Sequence, residues 1–115
     1  MPILTATCRE VGLVTRAILN GRIELGEGST VLRNTVKDLL VNNRIQIILD
    51  LSRVNAVDSA GIAELIGAYV PLKTRGGALK LLNPTKKVHK MLQVTQLSRV
   101  FEVYSDEEAA LNSFR

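Results

Sequence analysis

Apolar positions along this chain follow two periods, and the changes from one to the other divide it into elements. Thr, Val, Ile and Leu crowd residues 3–8 and 13–19, with alternation at Val14-Thr15-Arg16-Ala17-Ile18, which predicts two strands around a turn near Gly12. Asn20-Gly21 then breaks the run. The irregular piece Glu24-Leu25-Gly26-Glu27-Gly28-Ser29 leads into a first helix, capped by Ser29 or Thr30, with Leu32, Val36, Leu39 and Leu40 on its apolar face. Asn42-Asn43 ends it, because Asn tolerates the left-handed conformation needed past a helix C-terminus. Ile45-Gln46-Ile47-Ile48-Leu49-Asp50-Leu51 is a short apolar run of the kind that forms a buried strand, and residues 52–57 read as a loop. Helical spacing returns from Ser59 or Ala60 to Arg75, in Ile62, Leu65, Ile66, Tyr69 and Val70. Pro71 is expected to break or kink this helix late, and Gly76-Gly77 closes it. Ala78-Leu79-Lys80-Leu81-Leu82 is a further strand. Asn83-Pro84-Thr85 opens a third helix, with Pro84 at or near its first turn and Val88, Met91, Leu92 and Thr95 on one face. Residues 100–104 make a last strand. Ser105 caps a final helix whose first turn, Asp106-Glu107-Glu108, suits the positive end of the helix dipole, and Ala109, Ala110 and Phe114 pack inward.

The order β-β-α-β-α-β-α-β-α predicts an α/β fold: a mixed, mostly parallel sheet of about five strands, with right-handed crossovers and about four helices. The first two strands, adjacent in sequence, pair antiparallel. A length of 115 residues, 46% of them hydrophobic, suits one domain over residues 1–115 with a sizeable core. There is no Trp, with only two Phe and two Tyr, so that core is aliphatic and base stacking has little to work with. Cys8 is the only cysteine, which excludes an internal disulfide and fits a reduced, cytoplasmic setting. No segment has the apolar length to insert in a membrane, and the N-terminus does not read as a secretion signal.

Net charge is +4, unevenly spread. No acidic residue occurs between Leu65 and Phe101, while Lys73, Arg75, Lys80, Lys86, Lys87, Lys90 and Arg99 fall inside that span. The bland account is a solvated surface; the sharper one is a contact for nucleic acid, an anionic membrane or an acidic partner. No nucleic-acid-binding motif accompanies the charge, so no direct nucleic-acid contact is expected.

Candidate chemistry centres on Val57-Asp58-Ser59-Ala60-Gly61-Ile62, between the apolar strand and the second helix. The first N–H groups of a helix lack intrahelical partners and attract anions. Ser59 is therefore either a cap or a place for a phosphate, which would bring about −1.5 to −2 charges. Asp58 either caps the helix or holds a hydroxyl proton or a magnesium ion during phosphoryl transfer. Gly61 leaves its turn bare, so that another protein's backbone could approach. On these residues alone the cap is the commoner outcome. Other chemistry is thinner. His89 sits in a lysine-rich helix without Cys or acid neighbours, so no metal site is expected, and no G-x-S-x-G elbow surrounds Ser59. Gly26-Glu27-Gly28-Ser29 lacks the lysine and the spacing of a phosphate loop. Asp50 and Asp58 form a conceivable carboxylate pair with nothing further to support it. No cofactor is expected.

The stretch from Ile48 through Asp58-Ser59-Ala60-Gly61-Ile62 resembles the signature of STAS domains, the sulfate-transporter and anti-sigma-factor-antagonist family. Leu19-Asn20-Gly21-Arg22-Ile23-Glu24 is similar to the family's earlier Leu-x-Gly-x-apolar-acid element, and Leu79-Lys80-Leu81-Leu82-Asn83 to its third parallel strand. The resemblance implies helices packed mainly on one face of the sheet. It implies a bacterial, non-enzymatic partner-switching regulator of transcription. Such a protein binds an anti-sigma factor that is also a serine kinase, is phosphorylated on the motif serine, here Ser59, and is restored by a serine phosphatase. The partner-binding residues carried over are Glu24, Asp58, Ser59, Ala60, Gly61 and Ile62. Glu24 stands where the family often has Asp, within a loop richer in glycine than usual. The alternative the resemblance leaves open is a STAS subunit of a stress-sensing assembly or of a lipid or anion transporter complex.

Overall fold

Five strands form one sheet in the order β1-β2-β3-β4-β5 in the computed structural model, which describes residues 2–114. The two end residues of the expected 1–115 domain lie outside the described residues. β1 (Leu4–Val11) turns at Gly12 and pairs antiparallel with β2 (Val14–Ile23). β3 (Gln46–Val57), β4 (Ala78–Leu82) and β5 (Val103–Tyr104) then add in parallel. The helices are α1 (Glu27–Val41), α2 (Ser59–Thr74), α3 (Lys86–Val94) and α4 (Glu107–Asn112), with a short 3-10 turn at Leu97–Arg99.

Alternation along the strands divides the core. Ala17, Leu19, Ile47, Leu49, Leu51, Leu79 and Leu81 face α1, α2 and α3, together with Leu32, Val36, Leu65, Leu72, Val88 and Leu92 from those helices. Each fully buried aliphatic side chain contributes about 1.5–3 kcal/mol by leaving water. The opposite face carries a smaller cluster, Val14, Ile48, Leu82 and Ala110, covered by α4, with Phe114 packed at its edge. Ala109 is exposed, contrary to the inward packing expected of it.

Beneath α4 the sheet also buries charge. Arg16 Nη2 donates to Asp50 Oδ2 at 2.7 Å, and its Nη1 donates to Glu107 Oε2 of α4 at 2.9 Å. Lys80 Nζ donates to the Ser113 carbonyl at 3.0 Å and to its hydroxyl at 2.8 Å. Asp50 is therefore a structural anion, not half of a metal-binding pair. Burial alone pushes its carboxyl up, but the Arg16 guanidinium and the Ser52 N–H and hydroxyl outweigh that and hold it below the usual range. A lowered folded-state value stabilises above the unfolded value, about 3.9, and that stabilisation disappears as pH falls through the folded value. Urea unfolding followed from pH 7 downward is expected to show wild type losing stability below about pH 4 more steeply than Asp50→Asn. Parallel losses would remove the Arg16–Asp50 pair from the account.

Several boundaries differ from the sequence reading, beginning with β1, which runs to Val11 instead of ending at Cys8. β2 does not stop at Asn20-Gly21; it runs to Ile23 through two register irregularities, with Arg22 N donating to the Ile3 carbonyl at 3.0 Å. β3 takes up the whole expected loop 52–57, because the end of β2 offers it a partner as far as the rung Ile23↔Val57. The last strand keeps only two residues, since the 3-10 turn at Leu97–Arg99 and the bend after it carry the chain round and bury Leu97 and Phe101. α2 passes through Pro71 without breaking and continues to Thr74. One cap moves as well. Asp106, not Ser105, caps α4 by accepting from Ala109 N at 3.0 Å. Pro84 precedes α3, which Thr85 caps.

Candidate functional site

The rung Ile23↔Val57 decides where the candidate residues lie. It ends two parallel strands side by side, so that the chain leaving β2 (Glu24, Leu25) meets the chain leaving β3 (Asp58, Ser59). Both segments then turn at once into helices, α1 and α2. Two glycines permit the crowding. A Cβ on Gly28 would lie 2.2 Å from the Arg22 carbonyl oxygen, and one on Gly61 would lie 2.0 Å from that of Ile23. In sequence the bare turn at Gly61 offers room for another protein's backbone; in the fold the Ile23 carbonyl of the chain's own β2 takes that room.

Asp58 joins the two segments. Its backbone is extended (φ −102°, ψ −173°), as a capping position requires, and Oδ1 accepts from Gly61 N at 2.9 Å. Oδ2 accepts from Leu25 N, across from the other segment, at 3.0 Å. The Leu25 and Gly61 N–H groups hold the Asp58 carboxyl below the usual carboxylate range. With one oxygen on each segment, Asp58 is a cap and a tie.

Because Asp58 caps α2, Ser59 does not. Ser59 is the first residue of the helix, exposed, and its hydroxyl makes no hydrogen bond among the described residues. No acidic residue occurs in the first turn of α2 beyond the capping Asp58. The hydroxyl thus stands at the positive end of a helix, open to a phosphate donor.

The other predicted residues divide by exposure. Ala60 and Glu24 are partly exposed, and Glu24 Oε1 lies 3.5 Å from Arg22 Nε. Gly61 and Ile62 are buried and shape the turn from beneath. Leu25, which sequence reasoning passed over, is 82% exposed, a large apolar side chain held beside Ser59 by the Asp58 tie. The signal was available: an apolar residue between Glu24 and Gly26, with no helix or strand period to bury it. α1 begins two residues before the expected caps. Gly26 occupies the capping position without a side-chain bond, the Glu24 carbonyl accepts from Ser29 N at 2.9 Å, and Ser29 is buried. His89 is exposed on α3, as are Lys86, Lys87 and Lys90.

Comparison with known proteins bears on this geometry. The model of the STAS domain matches residues 17–110, which includes both site segments, most of β2 and all of β3, β4 and β5. The chain belongs to the STAS family. Among its STAS relatives is a Thermotoga maritima protein provisionally described as an anti-sigma factor antagonist, 27% identical over 90 residues, or 77% of this chain and 80% of that one. The crystal structure of a Thermotoga maritima protein of the same description superposes with a TM-score of 0.89 at 24% identity, covering 96% of this chain and 94% of its own. The anti-sigma F factor antagonist of Paenibacillus polymyxa is 28% identical over 65 residues, 56% of each chain. The Bacillus cell fate determinant SpoIIAA in its phosphorylated form has the same fold, with a TM-score of 0.75 at 21% identity over 96% of this chain and all of that one. No helix among the described residues of this STAS chain is long and apolar enough to cross a membrane.

Proposed function

We propose that this STAS domain is an anti-sigma factor antagonist whose docking is switched off by phosphorylation of Ser59. The partner is an anti-sigma factor that is also a serine kinase. Docking of Glu24, Leu25, Asp58, Ser59 and Ala60 against it releases the sigma factor. Gly61 and Ile62 take part by holding Ser59 at the surface. Transfer of a phosphate to the Ser59 hydroxyl places a dianion in the contact, the complex separates, and a serine phosphatase restores the antagonist.

One observation carries this reading: Asp58 does the capping, which leaves an unbonded serine hydroxyl exposed at a helix N-terminus. The descriptions of the Thermotoga and Paenibacillus relatives support the partner class. The existence of a phosphorylated form of SpoIIAA supports the switch by analogy of fold.

The test is phosphotransfer. The small anti-sigma kinases of the source organism are purified, mixed with the chain and ATP, and the phosphosite is mapped by mass spectrometry. One phosphate on Ser59, and none on Ser59→Ala, is the expected result. No transfer by any of these kinases, or transfer to another residue, would contradict the switch.

A further inference from the structure

Gly67 lies in the interior of α2 with helical neighbours on both sides, a position where glycine weakens a helix relative to alanine. Gly28 and Gly61 are required by the chain's own carbonyl oxygens, but a Cβ on Gly67 would meet nothing within 4 Å. The chain's own packing therefore gives no reason for a glycine here. Pro71, one turn on, brings no N–H to the Gly67 carbonyl, so this turn presents neither a side chain nor the usual helical hydrogen bond. The two residues open a groove of about 380 Å³ between α1 and α2, floored by Val36, Leu40 and Ala68.

The groove opens onto an apolar stripe that starts at Ser59. Ser59, Ala63, Ile66, Gly67 and Val70 recur at helical spacing and all are exposed, Ile66 to 41% and Val70 to 55%. α2 is thus apolar inside and out, which a helix with one solvated face is not. The stripe runs for about 16 Å at 1.5 Å per residue. Any protein seated on Ser59 is within reach of it. At the groove's rim Arg33 is paired with Glu64, whereas Lys37 has no acidic partner among the described residues. The rim's unbalanced charge is positive.

We infer that the α1–α2 groove at Gly67 is the second half of the anti-sigma partner's docking surface, and that it receives an apolar anchor side chain from a segment carrying acidic residues. The anchor enters where Gly67 has no side chain, and the acid meets Lys37. The neighbouring Gly67 carbonyl accepts a hydrogen bond from the same segment. Ser59 then acts as the switch, while Gly67 and its groove supply affinity and partner choice, as buried central anchors do at interfaces. This inference rests on the proposed function, since it assigns the groove to the partner that reads Ser59.

The test uses the kinase that phosphorylates Ser59 and measures its affinity for wild type, Gly67→Ala, Gly67→Leu and Lys37→Glu, alongside each variant's Tm. Leu is a good helix former and fills the groove, so Gly67→Leu is expected to keep or raise Tm and to lose about tenfold or more in affinity. Gly67→Ala is expected to raise Tm with a smaller loss of affinity. Lys37→Glu, outside the packed core, is expected to lose about tenfold without a change in Tm, and it decides the matter if Gly67→Leu misfolds. Folded variants that bind like wild type would overturn the groove and leave the Ser59 switch standing. A wild type that no such kinase binds would overturn both. A wild-type dimer dissolved by Gly67→Leu would assign the groove to a second copy and overturn the inference.

Discussion

Ser59→Ala is expected to bind the anti-sigma partner as tightly as unmodified wild type and to stay bound when ATP is supplied. Ser59→Asp and Ser59→Glu are expected to bind about tenfold or more weakly, with Tm unchanged in all three. The stability half of this expectation follows from the cap. Asp58 accepts from Gly61 N, and Ser59 contributes an exposed hydroxyl without a partner among the described residues, so its loss removes nothing from the fold. The binding half follows from charge. An anion forced into a contact without a compensating cation costs several kcal/mol for a full phosphate and less for a single carboxylate. Each 1.4 kcal/mol or so is a factor of ten. Asp58 adds to the effect, because it places one negative charge next to the new one and is itself held ionised by the Leu25 and Gly61 N–H groups. The switch thus needs no refolding. Equal affinities for the three variants, measured by calorimetry against one kinase, would sink it.

Gly61→Ala should be the most damaging single methyl group in the site. The added carbon would sit 2.0 Å from the Ile23 carbonyl oxygen and 2.9 Å from Val57 Cγ1. The Val57 contact is a side chain with some freedom. The Ile23 oxygen belongs to the backbone of β2, which is paired with β3 at this rung and bonded to the Ile3 carbonyl one residue earlier, so it cannot shift without disturbing both. Overpacking of this kind costs roughly 1–3 kcal/mol, and a backbone obstacle puts the expectation at about 3 kcal/mol or slightly above. The same methyl at Gly67, six positions on in the same helix, meets nothing and is expected to be neutral or stabilising by up to about 1 kcal/mol. Two urea titrations compare them. A Gly61→Ala chain as stable as wild type would mean that the two helix starts are not wedged against β2 as described.

The alternating elements and the antiparallel first pair were legible because their apolar periods are long and regular. Ile47, Ile48, Leu49 and Leu51 read as a buried strand and are one. The second half of β3 was illegible for a physical reason. Ser52-Arg53-Val54-Asn55 looks polar, and it becomes strand only because β2 continues past its own Asn20-Gly21 break to lie beside it. Neither segment signals this alone. At the site, the capping residue types were readable, but Asp and Ser at adjacent positions are equally good caps. The division of labour between them rests on Leu25 N, a backbone donor from residues far away in sequence, which gives Asp58 a second bond. Gly61 shows the same limit. The need for a bare position was evident, whereas the approaching group, Ile23 rather than an outside chain, is a tertiary fact.

The most direct measurement compares one protein in two states. Wild-type chain phosphorylated to completion on Ser59, and the same preparation before phosphorylation, are titrated against the kinase in the presence of a non-hydrolysable nucleotide. The phosphorylated form is expected to bind about a hundredfold more weakly, equivalent to about 3 kcal/mol, and to regain full affinity after phosphatase treatment. Indistinguishable affinities for the two forms would contradict the switch.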